Sequence, residues 1–367
     1  MERTMPWSSL LKISYQGNYN NKRIKYALGN LPVSPLDGPV TVVDHPFNAP
    51  AAGFPDLRGK VINAIAADVR CAGTGLPGIT TNATCPVNVP IADNEISLRV
   101  PRTNERRPDP LYTTNLLVSN DAESWYDGLE ISWDKRFSRG LQFLAAYTWS
   151  NSEDTTSEAT LVGAGDSNQQ GPNSDYARAK SRFHVPHRFT LSGSYELPFF
   201  RERQDWMGHA FGGWTLSGIL KLASGTPFTV TFTGTDLNFD GFAEARPVLL
   251  DPSILYRSID TPATAQEQLP RSAFRAQVYG DTVDMLVPRN SFYGDGFENV
   301  DLALAKTFRL PWAKHQFSVR VEAFNAFNQV QFGFPISDFN NAAFGALNGV
   351  QTSYSPRVIQ LRLWYRF

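Results

Sequence analysis

The oxygen-bearing side chains Asp236, Asn238 and Asp240, two residues apart and followed by Gly241, are the pattern in this sequence most suited to holding a metal ion. Oxygen ligands at that spacing, with a glycine for the sharp bend, form the first half of a calcium loop. The bidentate glutamate such a loop uses at its twelfth position is missing, because position 247 is proline. A hydrogen-bonded surface turn is therefore the preferred reading of the stretch, with Ca2+ the alternative. Gly73 to Gly78 spells G-x-G-x-x-G, but Pro77 lies inside it and no strand-helix-strand context surrounds it, so it reads as a loop. His184 and His187 stand three apart without the further Cys or His ligands a zinc site needs. Cys71 and Cys85 are the two cysteines, in a Gly/Pro/Thr-rich stretch where a disulfide and two reduced thiols fit equally well. No G-x-S-x-G, H-E-x-x-H or P-loop occurs, so an enzyme is not expected.

The remaining ionisable groups follow a different rule. Glu130, Asp134, Arg136, Arg188, Glu196, Lys221, Asp301, Arg320, Glu322, Arg362 and Arg366 fall on the positions that alternate with the mainly apolar ones. In Leu129 to Phe137 the greasy positions are Leu129, Ile131, Trp133 and Phe137, and in the last eleven residues they are Ile359, Leu361, Leu363, Tyr365 and Phe367. A period of two means a strand with one oily face and one wet face. A dry core could not hold so many ions without exact pairing, whereas a water-filled or plugged barrel lumen can.

The elements that carry these charges follow in order. Eight strands are expected, near 9–16, 129–137, 141–149, 188–197, 214–223, 300–308, 317–323 and 357–367. Between them the connections alternate short and long. Ser138-Arg139-Gly140 is a tight turn, residues 151–181 and 225–298 are long polar excursions, and the text from Gly17 to about Ala122 is irregular, with one short helix expected near 60–69. Loops sorted by length in this way suit an up-and-down antiparallel membrane barrel, with short periplasmic turns and long extracellular loops. The fold class expected is all-β, a transmembrane β-barrel segment of about eight long strands, organised as a loop-rich part, residues 1–122, and a barrel part, residues 123–367.

Composition agrees with that class. Aromatics make up 13% of the 367 residues although the mean hydropathy is negative, which suits aromatic girdles on a barrel better than membrane helices. No apolar run approaches the length of a membrane helix. The net charge of -1 leaves no electrostatic footprint for nucleic acid. Residues 1–20 carry no signal-peptide pattern.

Several stretches then resemble a known family. Tyr126-Asp-Gly-Leu-Glu-Ile-Ser-Trp-Asp-Lys-Arg-Phe-Ser-Arg-Gly-Leu141 with Tyr147-Thr-Trp-Ser150 is similar to a hairpin of the Oar-like TonB-dependent outer-membrane receptors of the acidobacterial type. So are Pro186-His-Arg-Phe189, Gly213-Trp-Thr-Leu-Ser-Gly218, Ser224-Gly-Thr-Pro-Phe228 and Glu322-Ala-Phe-Asn-Ala-Phe-Asn328, in the same order. The resemblance implies a barrel of about 22 strands enclosing a plug and driven by a TonB-type energy transducer. It also implies outer-membrane lipid around the wall, an unidentified small solute as cargo, no resident cofactor, and Phe367 as the signal read by the barrel assembly machinery. This chain matches the carboxy-terminal part of such a receptor and holds no recognisable plug. Two other readings are kept: a small self-closing barrel with a structural or adhesive role, and an extracellular glycan-binding β-sandwich.

Overall fold

A computed structural model describes residues 2–29, 109, 115–157, 178–200, 203, 205–232, 246–277, 283–309 and 315–367, together with short strands at 39–41, 61–63, 70–71, 86–91 and 94–99. Nine strands pair consecutively into one antiparallel sheet: β1 (Glu2–Met5), β2 (Ser9–Gly29), β3 (Asn115–Ser138), β4 (Leu141–Asp154), β5 (His187–Glu196), β6 (Trp214–Ala223), β7 (Phe297–Arg309), β8 (Gln316–Phe324) and β9 (Val358–Arg366). A two-residue strand, Ala179–Lys180, adds to the free end of β4. Every neighbour in the sheet is a neighbour in sequence, which is the up-and-down arrangement. No register pairs β1 with β9 among the described residues.

All eight expected strands are present, and β1 is an addition. It forms a hairpin with β2 through Trp7 and Ser8, both at positive φ. Four residues are too few for an alternation to stand out.

The stretch from Gly17 to Ala122 is less irregular than its composition implies. Strands β2 and β3 pair along almost their whole length, from Ser9↔Lys135 to Gly29↔Asn115. Twenty-one residues at about 3.4 Å each reach roughly 70 Å, well beyond a tilted crossing of a hydrocarbon core about 30 Å thick. Outside that core both faces meet water, so the apolar alternation stops while the backbone ladder continues. Side chains reinforce this outer part: the Tyr15 hydroxyl donates to Asp127 and that of Tyr19 to Glu123, both at 2.5 Å, and the Tyr19 ring stacks on Trp125 at 5.6 Å. The helix expected near 60–69 is not observed at 61–63, which pair with 39–41 as strand.

Connections alternate in length as the sequence suggests. The β1–β2, β3–β4, β5–β6 and β7–β8 turns are short, and the four connections between them are long. At the tight β3–β4 turn Gly140 has φ +80, a left-handed conformation that a side chain resists, and its carbonyl accepts from the Glu196 amide at 2.7 Å.

Candidate functional site

The register sorts the strands into two faces. Cross-strand partners share a face, so each ladder row can be followed across the sheet. One row runs Leu11, Trp133, Ala145, Leu191, Leu220, Val300, and another runs Leu141, Tyr195, Leu216, Leu304, Val321, Leu361. That face is apolar throughout the central band.

The opposite face holds the charges singled out above. Asp134, Leu144, Ser192, Ile219 and Asp301 form one row, Glu130, Thr148, Arg188 and Ala223 another, and Thr190, Lys221 and Asn299 a third. Glu196, Thr215, Ala305, Arg320 and Arg362 form a fourth, while Glu322 follows Ala303 and Arg366 follows Gln316. Arg136 continues the alternation of Asp134 where a β-bulge begins after Lys135. All eleven charges therefore lie on one face. Trp364 shares it, opposite Ser318.

The charges do not act as isolated ions. Glu322 is clamped from both sides, with Arg320 Nε 2.9 Å from Oε1 and Arg362 Nε 2.9 Å from Oε2. Asp301 accepts from the Asn325 amide at 2.9 Å and from Asn299 Nδ2 at 3.0 Å, which ties the wall to the start of the β8–β9 connection. Asp134, Arg136, Asp301, Arg320 and Glu322 line a hollow of about 730 Å³, with Ser192, Ser194 and Ser217 on its floor. Arg188 and Lys221 line a second, of about 900 Å³, together with Arg182, Asp295, Phe297 and Phe334.

Two lysines break the apolar face, and both reach for backbone carbonyls at its short-turn end. Lys135 Nζ donates to the Arg136, Ser138 and Leu141 carbonyls and to Ser138 Oγ. Lys306 Nζ donates to the carbonyls of His209 at 2.5 Å, Ala210 at 3.1 Å and Gly212 at 2.5 Å. A long side chain that stretches its charge to the edge of an apolar surface is snorkelling.

Above the wall, the long connections build a compact cap that the sequence does not reveal. Phe228, Val230, Ile254, Ile259, Leu269, Phe274, Val287, Phe292 and Phe344 are all buried in one cluster, drawn from the β6–β7 and β8–β9 connections. Phe292 sits at its centre, 5.9 Å from Phe228 and 6.0 Å from Phe274, ring centre to ring centre. Backbone bridges cross between the connections, as in Thr231 to Ser337 and Phe339 to Thr231. The sequence signal was faint because these residues are scattered over more than a hundred positions without a period.

The cap is fastened to the top of β4. Arg289 Nη2 lies 2.7 Å from both Asp154 Oδ1 and the Asp154 carbonyl, with the two side chains only 5% and 3% exposed. Ser157 Oγ donates to the same carboxylate, and Asn290 Nδ2 donates to the Lys180 carbonyl at 2.8 Å. Beside this latch His184 Nδ1 accepts from the Ser152 amide at 3.1 Å, while burial and then the Lys180 charge lower its pKa to about 4. Burial also pushes the Tyr293 phenol up to about 12 and raises Asp295, although the Phe332 amide donates to Asp295 at 2.7 Å. No aspect of this latch was anticipated from sequence, since Asp154 and Arg289 are 135 residues apart.

The remaining sequence candidates fall elsewhere. Asp236, Asn238, Asp240 and Cys85 lie outside the described residues, and of Cys71 only the strand backbone is described, so neither the calcium loop nor the disulfide can be placed. Among the described residues no group of three His, Cys, Asp or Glu side chains is arranged to hold a metal. His184 and His187 part company: His184 is buried in the latch, while His187 Nδ1 pairs with the Tyr147 hydroxyl at 2.8 Å. Phe367 ends the chain fully exposed on the apolar face.

Comparison with known proteins follows from this geometry. The family model described as outer membrane beta barrel domain matches residues 1–360. Among curated proteins no match is found. Among solved structures, the outer membrane transporter YddB from Escherichia coli aligns with a TM-score of 0.41 and 10% identity. The alignment covers 99% of this chain and 31% of that transporter, so the chain spans about a third of its length.

Proposed function

This chain belongs to the outer membrane β-barrel domain family and lies in the outer membrane, and from that premise we propose that it is the carboxy-terminal barrel segment of a TonB-dependent receptor. In this reading the nine strands are part of a larger wall of about 22, with further strands completing the edges at β1 and β9. The apolar face meets lipid. The eleven charges face the lumen, the cap meets the solute first, and a plug moved by a TonB-type transducer opens the path. Phe367 is the terminal aromatic offered to the barrel assembly machinery. The segment itself does no covalent chemistry.

The observation that carries this reading is a wet, ion-bearing wall face beneath a folded loop cap, with hollows of about 730 and 900 Å³ along that face. An adhesive barrel has no need of such a lined space, and a β-sandwich would have to bury these ions in its core.

The test is energised uptake. Cells carrying or lacking the intact gene are compared for uptake of ferric chelates, cobalamin and oligosaccharides, each with the transducer present or deleted. The receptor reading requires one solute whose uptake needs both genes. Uptake that survives loss of the transducer, or no difference for any of the solutes, sinks it.

A further inference from the structure

The β5–β6 connection is the longest of the turns at the short-turn end of the sheet, and it carries an unusual load. Phe199, Phe200, Trp206 and Phe211 are 64%, 43%, 68% and 56% exposed. They are not scattered: the Phe211 ring lies 6.0 Å from Phe200 and 6.5 Å from Trp206. Exposed apolar patches of this kind mark a surface that meets something other than water.

The turn has a defined shape. Its helix, α1 (Trp206–Phe211), is capped by Asp205, whose side chain accepts from the Gly208 amide at 3.1 Å. Arg203 forks onto the same carboxylate, which holds the Asp205 pKa at about 2. Phe200 adopts φ +54, a left-handed conformation that a phenylalanine resists. A Cβ at Gly212 would stand 2.6 Å from the Phe200 carbonyl, so the chain crosses itself closely here.

The turn is also pinned to one particular side of the wall. Trp214 and Lys306 are register partners on the apolar face. Trp214 Nε1 donates to the Ala210 carbonyl at 3.2 Å, and Lys306 Nζ caps three carbonyls at the end of α1. The helix is therefore drawn onto the outward, lipid-facing surface, away from the charged lumen face. Its aromatics continue the apolar band of Trp214, Leu216 and Leu304 past the end of the strands.

We propose that this turn is an interfacial foot, which inserts Trp206, Phe211 and the Phe199-Phe200 pair into the headgroup and upper acyl region of the phospholipid leaflet at the short-turn end of the wall. Continuity with the lipid-facing band selects lipid over a protein partner as the occupant. Trp and Phe suit that boundary, where an apolar body is buried and polar groups remain wet. Among the described residues both Arg203 and Lys306 are engaged within the turn, so aromatic insertion is what they leave the foot to offer the leaflet. The inference rests on the outer-membrane family and the register, and it stands whether or not the receptor transports.

The test uses the product of the intact gene, purified from the outer membrane and reconstituted into vesicles of phosphatidylethanolamine and phosphatidylglycerol. A Trp206→Cys variant, in a background with Cys71→Ser and Cys85→Ser, carries a fluorescent label at position 206. The label should be quenched at least about twofold more by lipids bearing a nitroxide high on the acyl chain than by iodide in the water. An Asp251→Cys control in the cap should show the reverse. Free quenching by iodide at position 206 overturns the proposal. So does shielding from iodide without quenching by lipid, which is what contact with a second copy or another protein would give. If the labelled variant does not insert, quenching by brominated lipid is compared between the unmodified chain, Trp206→Phe and Trp206→Ser. The difference assigned to position 206 must then be present, and its absence also overturns the proposal.

Discussion

The ion pair between Asp154 and Arg289 supplies the sharpest test of how the cap is held. Substituting Asp154→Asn keeps the size of the side chain and removes its charge, depriving a guanidinium that is 5% exposed of the Asp154 carboxylate. Breaking a buried pair from one side costs about 3–5 kcal/mol, because the remaining charge has given up its water and loses that partner. Two of the Arg289 contacts, to the Asp154 carbonyl and to Ser157 Oγ, survive the change, so the lower end of that range is expected. That is roughly two powers of ten in the equilibrium for local opening. Hydrogen exchange reads it directly at amides bonded within the latch, such as Arg182 to Ser157 Oγ and Asn290 to Thr229 Oγ1. Wall amides in β5 and β6 serve as the internal reference and should be unchanged. A double change, Asp154→Leu with Arg289→Met, should recover most of the lost protection, since removing both ions removes the desolvation penalty as well. Two results would refute the reasoning. One is protection of the latch amides in Asp154→Asn within about threefold of the parent, and the other is a double variant as open as the single one.

Three further outcomes follow from the same geometry. His184 has a folded pKa of about 4 against 6.5 when unfolded, so the folded state resists its protonation: its support of the latch is complete above about pH 6.5, declines as pH falls through that window, and levels off below 4, a change on the order of 1–3 kcal/mol. Exchange at cap amides between pH 7 and 4.5 should show this slope in the parent and a smaller one in His184→Gln; equal slopes would count against it. Phe292→Ala empties the centre of the cap core and should cost about 3–5 kcal/mol of cap stability, seen as rapid proteolysis within 246–293 while the heat-modifiable migration of the wall persists. Leu361→Arg puts a charge in the central apolar band of β9 and should cost about 2–4 kcal/mol, whereas Arg362→Leu on the other face should leave insertion intact. Equal effects of these last two on folding into vesicles would contradict the assignment of faces.

The sheet was readable from the sequence because two demands act together on each strand residue. A side chain at position 361 or 363 meets apolar surroundings and one at 362 meets water, so the period of two is written wherever the wall crosses the hydrocarbon. The same logic explains the errors. Residues 17–29 and 115–124 form strand beyond that band, where nothing enforces alternation, and the pattern fell silent while the hydrogen bonds did not. Strand β1 was too short to display a period. The eleven wall charges could be put on one face by counting, yet their pairing could not: Glu322 and Arg362 are brought together only when β8 and β9 are set in register. The cap was least legible of all, because a core gathered from Phe228, Phe274, Phe292 and Phe344 has no local pattern, and its latch joins residues 135 positions apart.

The cap and the wall also impose a division on how this molecule can move. The wall face beneath the cap is studded with ions and offers little continuous apolar surface on which loops could pack, and connections this long cannot stay ordered on hydrogen bonds alone. The cap therefore carries its own core and rests on the wall through a few polar contacts around Asp154, Lys180 and Asp301. Displacing it would expose little of the buried cluster at Phe292, because that cluster is internal to the cap. The cost would be concentrated in the Arg289 latch and its neighbours. Widening the hollow lined by Arg188 and Lys221 is then a matter of releasing a handful of charge-assisted bonds, which makes the latch, and not the core, the place where the stability of the cap and access to that hollow are set against each other.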